Sequence, residues 1–395
     1  MKIFYIINFF CSRETHGVFN KYLTTAKVFK NFFSEVEIIF LKLGVESEAF
    51  KNDFKNSEMI FNSENILVSK INYLYKRNFG TAVFKLYKKI SGNKNCVVFL
   101  DTAVDYMYPW YYIFLNCLKA RKIYSFRGLP PHTNLFKYWI DKYGTKLMCD
   151  STERVIIQTS GHTKLYESYL ISSKISILGQ LFDFSRIKMS NEDFKIAELL
   201  KNKIGIGDDN FLSVIFLGRV QYDKGFDILI NTADLTRDLP IKFFILGEYH
   251  PTLKKVIEEK KIENIFFVGY QRNVKYYINN ADVLMHPSRS DGPSNSVGES
   301  MLMKKIVIAS NVGGISDLII NRHNGFLIDK DNIEEWNKIL RYIYENKYSL
   351  DYIKENAYKY IATNFNEDAF KKNWSSFMID FFNNKFKKNY FVPIS

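Results

Sequence analysis

Apolar runs of strand length recur along this chain, and segments of helical pattern lie between them. In the second half they read "FLSVIFLGR", "IKFFILG", "NIFFVGY", "ADVLMHPS", "KIVIAS" and "GFLI", spaced by segments such as "GFDILINTADLTRD" and "PTLKKVIEEKKI". A strand that is apolar throughout must be covered on both faces, and helices between such strands supply the crossovers of a parallel sheet. The first half repeats the theme with "KIFYIINFF", "EVEIIFL", "NCVVFLD", "RKIYSFRG", "ERVIIQTS" and "KISILG". The expected fold class is α/β, with two tandem doubly wound (Rossmann-like) parallel-sheet domains. A length of 395 residues agrees, being about twice that of one compact domain. The polar stretch 188–210, with "FKIAELLKNK" as a helix inside it, has the composition of a junction. We place a first domain at 1–185 and a second at 186–363. The tail after Thr363 is helical in pattern and aromatic, so one of its faces must pack on something.

Composition narrows the class. With 47% hydrophobic and 25% charged residues the chain reads as globular rather than disordered. The opening "MKIFYIINFFCSRETHG" has a short apolar run and no small-residue cleavage site, so it is expected to be a buried strand rather than a signal peptide. No stretch approaches the ~18 apolar residues needed to span a bilayer, and a cytoplasmic protein is expected. Cys11, Cys96, Cys117 and Cys149 show neither zinc nor disulfide-framework spacing. Residues 1–185 hold 25 Lys and Arg against 15 Asp and Glu, whereas 186–395 hold 30 against 27. A first half at +10 suggests an anionic partner on that side: nucleic acid, an anionic membrane surface, or a phosphorylated substrate. A general lysine bias of the chain is the other explanation.

In open parallel sheets, ligands sit where strands end and helices begin. "FLGRVQYDKGFDILI" places Gly218, Arg219 and Lys224 at such a turn, with a helix opening near Gly225. An Arg fork and a Lys point charge there suit a diphosphate, or form a solvated basic turn. After the strand "ADVLMHPS", Asp291 occupies the next loop. Gly292 allows close backbone approach, Asn295 or Ser296 can cap a helix, and Glu299 falls on its first turn. Two carboxylates so placed can accept hydrogen bonds from two hydroxylated rings, the length of a nucleotide sugar. From spacing alone, a turn cap at Asp291 and a carboxylate at the positive end of a helix are the better explanation.

The combination "DGPSNSVGESMLMKKIVIASNVGGISDLIINRHNGFLI", with "LGRVQYDKG" and "ADVLMHPS" upstream, resembles the retaining glycosyltransferases of the GT-B fold, in particular family 4 (glycosyl transferases group 1). The likeness is strong over 210–330 and weaker through the first half, where "ERVIIQTS" and "ISILGQLFDFSRI" look like the end of an acceptor domain. It implies GT-B architecture, with the two domains facing a cleft and the C-terminal segment 364–395 crossing back onto the acceptor domain. It also implies that Arg219 and Lys224 hold the donor diphosphate, Glu299 the ribose, and Asp291 the donor sugar. The Asn295–Ser296 segment would offer donors near the phosphates, and Gly313 and Gly314 would shape the neighbouring turn. Asp291 stands where the family has Glu, one methylene longer. Pro293 removes a backbone donor, Lys304 and Lys305 replace a small residue and Gly, and Asp317 replaces Glu.

In the first domain the family often places a His after a central strand. "YSFRGLPPH" offers Arg127 near that point, as a contact for phosphate or acceptor, and His132 as a catalytic candidate. Gly17 would approach the donor, with His16 beside it on the acceptor side. Asp101 and Asp105 make no supported metal site; Asp101 reads as a strand-end cap, and neither metal nor cofactor is expected. The resemblance thus implies a hexosyltransferase-type enzyme using a nucleoside diphosphate sugar, UDP- or GDP-linked, and a glycan or lipid-linked acceptor. Cell-surface polysaccharide or lipopolysaccharide synthesis follows from family breadth, with peripheral association to anionic membrane through the basic first domain. No nucleic-acid module is recognisable. Two alternatives stand beside this: a nucleotide-sugar epimerase on the same fold, and an inactive nucleotide-sugar-binding subunit.

Overall fold

The computed structural model describes residues 1–10, 18–43, 55, 58–59, 61–73, 79–93, 95–102, 108–126, 143–144, 146–163, 174–249, 257 and 259–391. The chain divides into two compact units, Met1–Leu181 with Glu367–Val392, and Phe182–Asn366 with the last three residues.

The first unit contains β1 (Lys2–Phe10), α1 (Val18–Lys30), β2 (Glu35–Leu43), β3 (Leu67–Tyr73), α2 (Phe79–Ser91), β4 (Cys96–Thr102), α3 (Tyr108–Cys117), β5 (Arg121–Phe126), β6 (Arg154–Ile157) and β7 (Ile175–Ile177). All its strand pairs are parallel, in the order β3-β2-β1-β4-β5-β6-β7. Asp101, expected as a cap, lies inside β4, where it is buried and accepts a hydrogen bond from the Tyr5 hydroxyl at 3.2 Å. β3 was not among the expected strands, because "LVSKINY" alternates apolar and polar residues at the edge of the sheet.

The second unit contains α4 (Asn191–Ile204), β8 (Leu212–Leu217), α5 (Phe226–Leu235), β9 (Ile241–Leu246), β10 (Ile265–Phe267), α6 (Lys275–Asn280), β11 (Val283–His286), α7 (Asn295–Leu302), β12 (Ile306–Ser310), β13 (Phe326–Ile328), α8 (Ile333–Glu345) and α9 (Asp351–Asn364). Its sheet is also wholly parallel, in the order β10-β9-β8-β11-β12-β13. β8, β11 and β12 are buried at every residue, which is why they read as unbroken apolar runs. α4 starts at a capping box between Ser190 and Asp193 and stops at Gly205, whose φ is +73°. The expected helix "PTLKKVIEEKKI" falls largely outside the described residues.

Phe182 opens this unit and is fastened to it. Its N–H donates to the Phe365 carbonyl at 3.1 Å, its ring packs 5.6 Å from that of Phe365, and a Cβ on Gly298 would come within 2.5 Å of it. The final helix, α10 (Glu367–Phe382), belongs to the first unit. Its Trp374 packs edge-on against Phe29 of α1 at 5.5 Å and Phe99 of β4 at 5.4 Å, which accounts for the aromatic face read from the tail. Among the described residues, no helix is long and apolar enough to cross a membrane.

Candidate functional site

The strand order of the second unit reverses between β8 and β11, so the connections leaving these neighbours run to opposite sides and open a crevice at their carboxyl ends. The loops leaving those two strands carry most of the residues singled out above. After β8, Gly218 takes a φ of +150° and a short 3-10 turn, Tyr222–Lys224, leads into α5. Gly225 joins them at a φ of +70°, and a Cβ there would lie 1.8 Å from the Pro287 carbonyl oxygen. The absence of a side chain at Gly225 therefore lets the two loops touch.

Several contacts of Ser288 and Arg289 then stitch the loops together. The Arg289 N–H donates to the Asp223 carbonyl at 2.9 Å, and the Ser288 hydroxyl to the same oxygen at 3.3 Å. The Arg289 guanidinium grips Asp227 with two bonds, at 2.6 and 2.7 Å, and lies 3.8 Å over the Tyr222 ring. So braced, Lys224 Nζ reaches Asp291 Oδ2 at 2.8 Å. His286, the buried last residue of β11, brings Nε2 to the same oxygen at 3.0 Å. Asp291 Oδ1 accepts the Gly292 N–H at 3.1 Å, and the Asp291 carbonyl accepts that of Gly314 from the turn after β12. Burial alone would raise the Asp291 carboxyl; the hydrogen bond and charge of His286, with the Lys224 ammonium, outweigh it and hold it at about 2. An ionised carboxylate has about four lone-pair positions, three of them taken by these contacts, so about one remains for a ligand hydroxyl.

α7 begins at Asn295 with Ser294 as its N-cap, so neither Asn295 nor Ser296 caps it. The Ser294 hydroxyl is 2.9 Å from that of Ser296 and makes no cap bond, while Ser296 Oγ lies 3.5 Å from His286 Nδ1. Asn295 is exposed at the first helical position. The first N–H groups of α7 have no acceptor within the helix and face an anion favourably. Glu299 is the fifth residue of α7, hence on its second turn rather than its first, and it is 6% exposed. Burial pushes its carboxyl above the usual glutamate range, Arg186 opposes this through an ion pair of 2.6 Å, and Asp183 adds to it.

Gly218, Lys224, Asp291, Gly292, Asn295 and Ser296 thus lie on the two loops and the start of α7, with Glu299 buried one turn further on. Arg219 is half exposed and pairs with Asp223 at 3.4 Å. Gly17, His16, Arg127, His132 and Asp105 lie outside the described residues. The sequence reading missed His286, Arg289, Asp227 and Arg186. The "HPS" that closes β11 directly before the Asp291 loop could have marked His286; nothing local marks Arg186, which comes from far earlier in the chain.

Residues 197–360 match the family described as Glycosyl transferases group 1. Over 243 residues the chain is 27% identical to an uncharacterised glycosyltransferase of Methanocaldococcus jannaschii, covering 59% of this chain and 60% of that one. Over 288 residues it is 26% identical to a poly(ribitol-phosphate) alpha-N-acetylglucosaminyltransferase of Staphylococcus aureus, covering 70% of this chain and 54% of that one. The chain therefore spans between half and two-thirds of the length of these curated relatives. It is similar to the solved structure of Anabaena HepE in complex with UDP, with a TM-score of 0.74 and 16% identity, covering 96% of this chain and 100% of that one. Together with the two parallel sheets, this likeness shows the tandem doubly wound fold of GT-B glycosyltransferases.

Proposed function

We propose that this chain is a retaining glycosyltransferase of family 4, moving a hexose from a UDP- or GDP-linked donor to a hydroxyl of a glycan or lipid-linked acceptor. The observation that carries the reading is the meeting of Lys224 and Asp291 at the switch point of the unit whose residues 197–360 match Glycosyl transferases group 1. Lys224, Arg219 and the first amides of α7 would hold the diphosphate, Asp291 the sugar hydroxyls, and Glu299 the ribose. As the bond from the anomeric carbon to the diphosphate oxygen breaks, negative charge grows on the leaving group, where fixed cations and amides stabilise it. The acceptor oxygen attacks on the same face and its proton passes to the departing phosphate, so no protein nucleophile and no metal is required.

The curated relatives are named as glycosyltransferases, one of them acting on poly(ribitol-phosphate), and this supports a role in building a cell-surface polysaccharide or lipopolysaccharide. A first half at +10 suits work on an anionic acceptor or at the cytoplasmic face of a membrane.

Calorimetric titration of UDP, GDP and ADP into the wild type and Glu299→Ala tests the reading. One nucleotide should bind, with EDTA without effect, and Glu299→Ala should weaken it by about tenfold to a hundredfold, the range for a hydrogen bond to a charged group. Failure of all three to bind would overturn the proposal.

A further inference from the structure

Resting on that donor-site reading, we propose that Arg186 is a positioning residue, fixing Glu299 as the anion that accepts the ribose hydroxyls. Glu299 is nearly inaccessible, and its partner at 2.6 Å is the Arg186 guanidinium. Arg186 sits in the short 3-10 turn Phe184–Ile187, opened by Asp183, whose side chain accepts the Ser185 N–H. That turn packs against α7 and follows directly on Phe182, whose ring fills the space left by Gly298, the neighbour of Glu299. The segment entering the second unit is thus fastened to the donor helix twice, by a ring on Gly298 and an ion pair on Glu299.

The charges around Glu299 leave this role to Arg186. Asp183, on the same turn, repels it. On α9, which packs against α7, Glu355 pairs with Lys304 and Lys354 with Asp351, both exposed. On β11, His286 is turned to Asp291 and Ser296, and β12 carries no charge. A buried carboxylate stripped of its cation either takes up a proton or stands uncompensated, and in both states it is a poorer acceptor held less firmly. Arg186 therefore acts through Glu299 and need not touch the nucleotide.

The test uses the full chain. UDP, GDP and ADP are titrated between pH 5.5 and 8.5 into the wild type, Arg186→Met, Arg186→Lys, Glu299→Gln and the Arg186→Met/Glu299→Gln double variant. Arg186→Met should weaken the nucleotide that the wild type binds by about tenfold or more at pH 5.5, with the loss shrinking as pH rises and Glu299 ionises. Arg186→Lys should recover most of it, and Arg186→Met should add nothing once Glu299 is Gln. Thermal unfolding of each variant at pH 7.5 separates a loss of affinity from a loss of fold. A pH-independent loss, or an equal loss in the Glu299→Gln background, would overturn the positioning role and assign Arg186 a direct contact or a merely structural one. Arg186→Met binding as the wild type does would also overturn it. Absence of binding by the wild type is a different failure, that of the donor-site reading itself.

Discussion

Replacing Asp291 by Asn removes a charge and little volume, and its cost can be worked from the contacts. In the folded chain the carboxyl is held at about 2 rather than 3.8, because His286 and Lys224 outweigh the effect of its burial. That difference corresponds to about 2 kcal/mol of folding free energy, at ~1.36 kcal/mol per tenfold change in proton affinity. The carboxyl is depressed, so the stabilisation is complete above 3.8, where folded and unfolded chains are both ionised. It is lost as the pH falls toward 2, because the unfolded chain takes up a proton that the folded one refuses. Urea unfolding of the second unit, followed at pH 7, 5 and 3, should show Asp291→Asn less stable by about 2 kcal/mol at the first two. By pH 3 the gap should have fallen to about half. A gap that stays constant over this range, or one that is absent at pH 7, would refute the claim that His286 and Lys224 hold this carboxylate. If Asp291 accepts hydroxyls of the donor sugar, as proposed, nucleotide-sugar turnover should fall in the same variant.

Lys305 stands on the opposite side of the pH scale. Burial lowers its ammonium to about 8, and its Nζ donates to the Asn279 carbonyl at 2.6 Å. The folded chain gives up this proton where the unfolded one keeps it until about 10.5, so wild-type stability should climb between pH 8 and 10.5 by up to ~3 kcal/mol. Lys305→Met should remove that climb in denaturation series and raise stability at pH 7 by on the order of 2 kcal/mol, net of the lost hydrogen bond. Gly225→Ala should cost on the order of 3 kcal/mol, from a left-handed φ of +70° together with a Cβ 1.8 Å from the Pro287 oxygen. It should also abolish nucleotide binding in calorimetry by displacing the loop that carries Asp291; full binding with unchanged stability would contradict the loop contact.

The sheets were legible for a physical reason. β8, β9, β11 and β12 are covered on both faces, so selection for burial acts at nearly every residue and leaves an apolar run in the sequence. β3 escaped notice because only one of its sides is paired, with β2, and Ser69, Lys70 and Asn72 break its run. Residues 65–73 therefore resemble a loop in composition. The aromatic tail announced that it packs, but a helical pattern cannot name its partner. Phe29 and Phe99, which receive Trp374, lie hundreds of residues earlier and carry no local mark of it.

The two carboxylates of the site show the same divide in their chemistry. Asp291 has its partners close at hand: His286 ends the strand before it, and Lys224 sits at the corresponding place after the neighbouring strand. Both follow from sheet topology, so a reading that places two adjacent strands correctly also brings these charges together. Glu299 differs, because α7 buries it beyond the reach of its own loop and its cation arrives from Phe184–Ile187, a turn that belongs to no strand of the sheet. The sequence spacing of Asp291 and Glu299 is thus silent about which cations pair with them. Asp291 pairs with His286 at the end of β11 and with Lys224 on the neighbouring loop, whereas Glu299 pairs with the segment through which the chain enters the unit. A perturbation of residues 182–187, outside every recognisable motif, should therefore reach Glu299, the proposed ribose acceptor, and leave the Lys224–Asp291 pair intact.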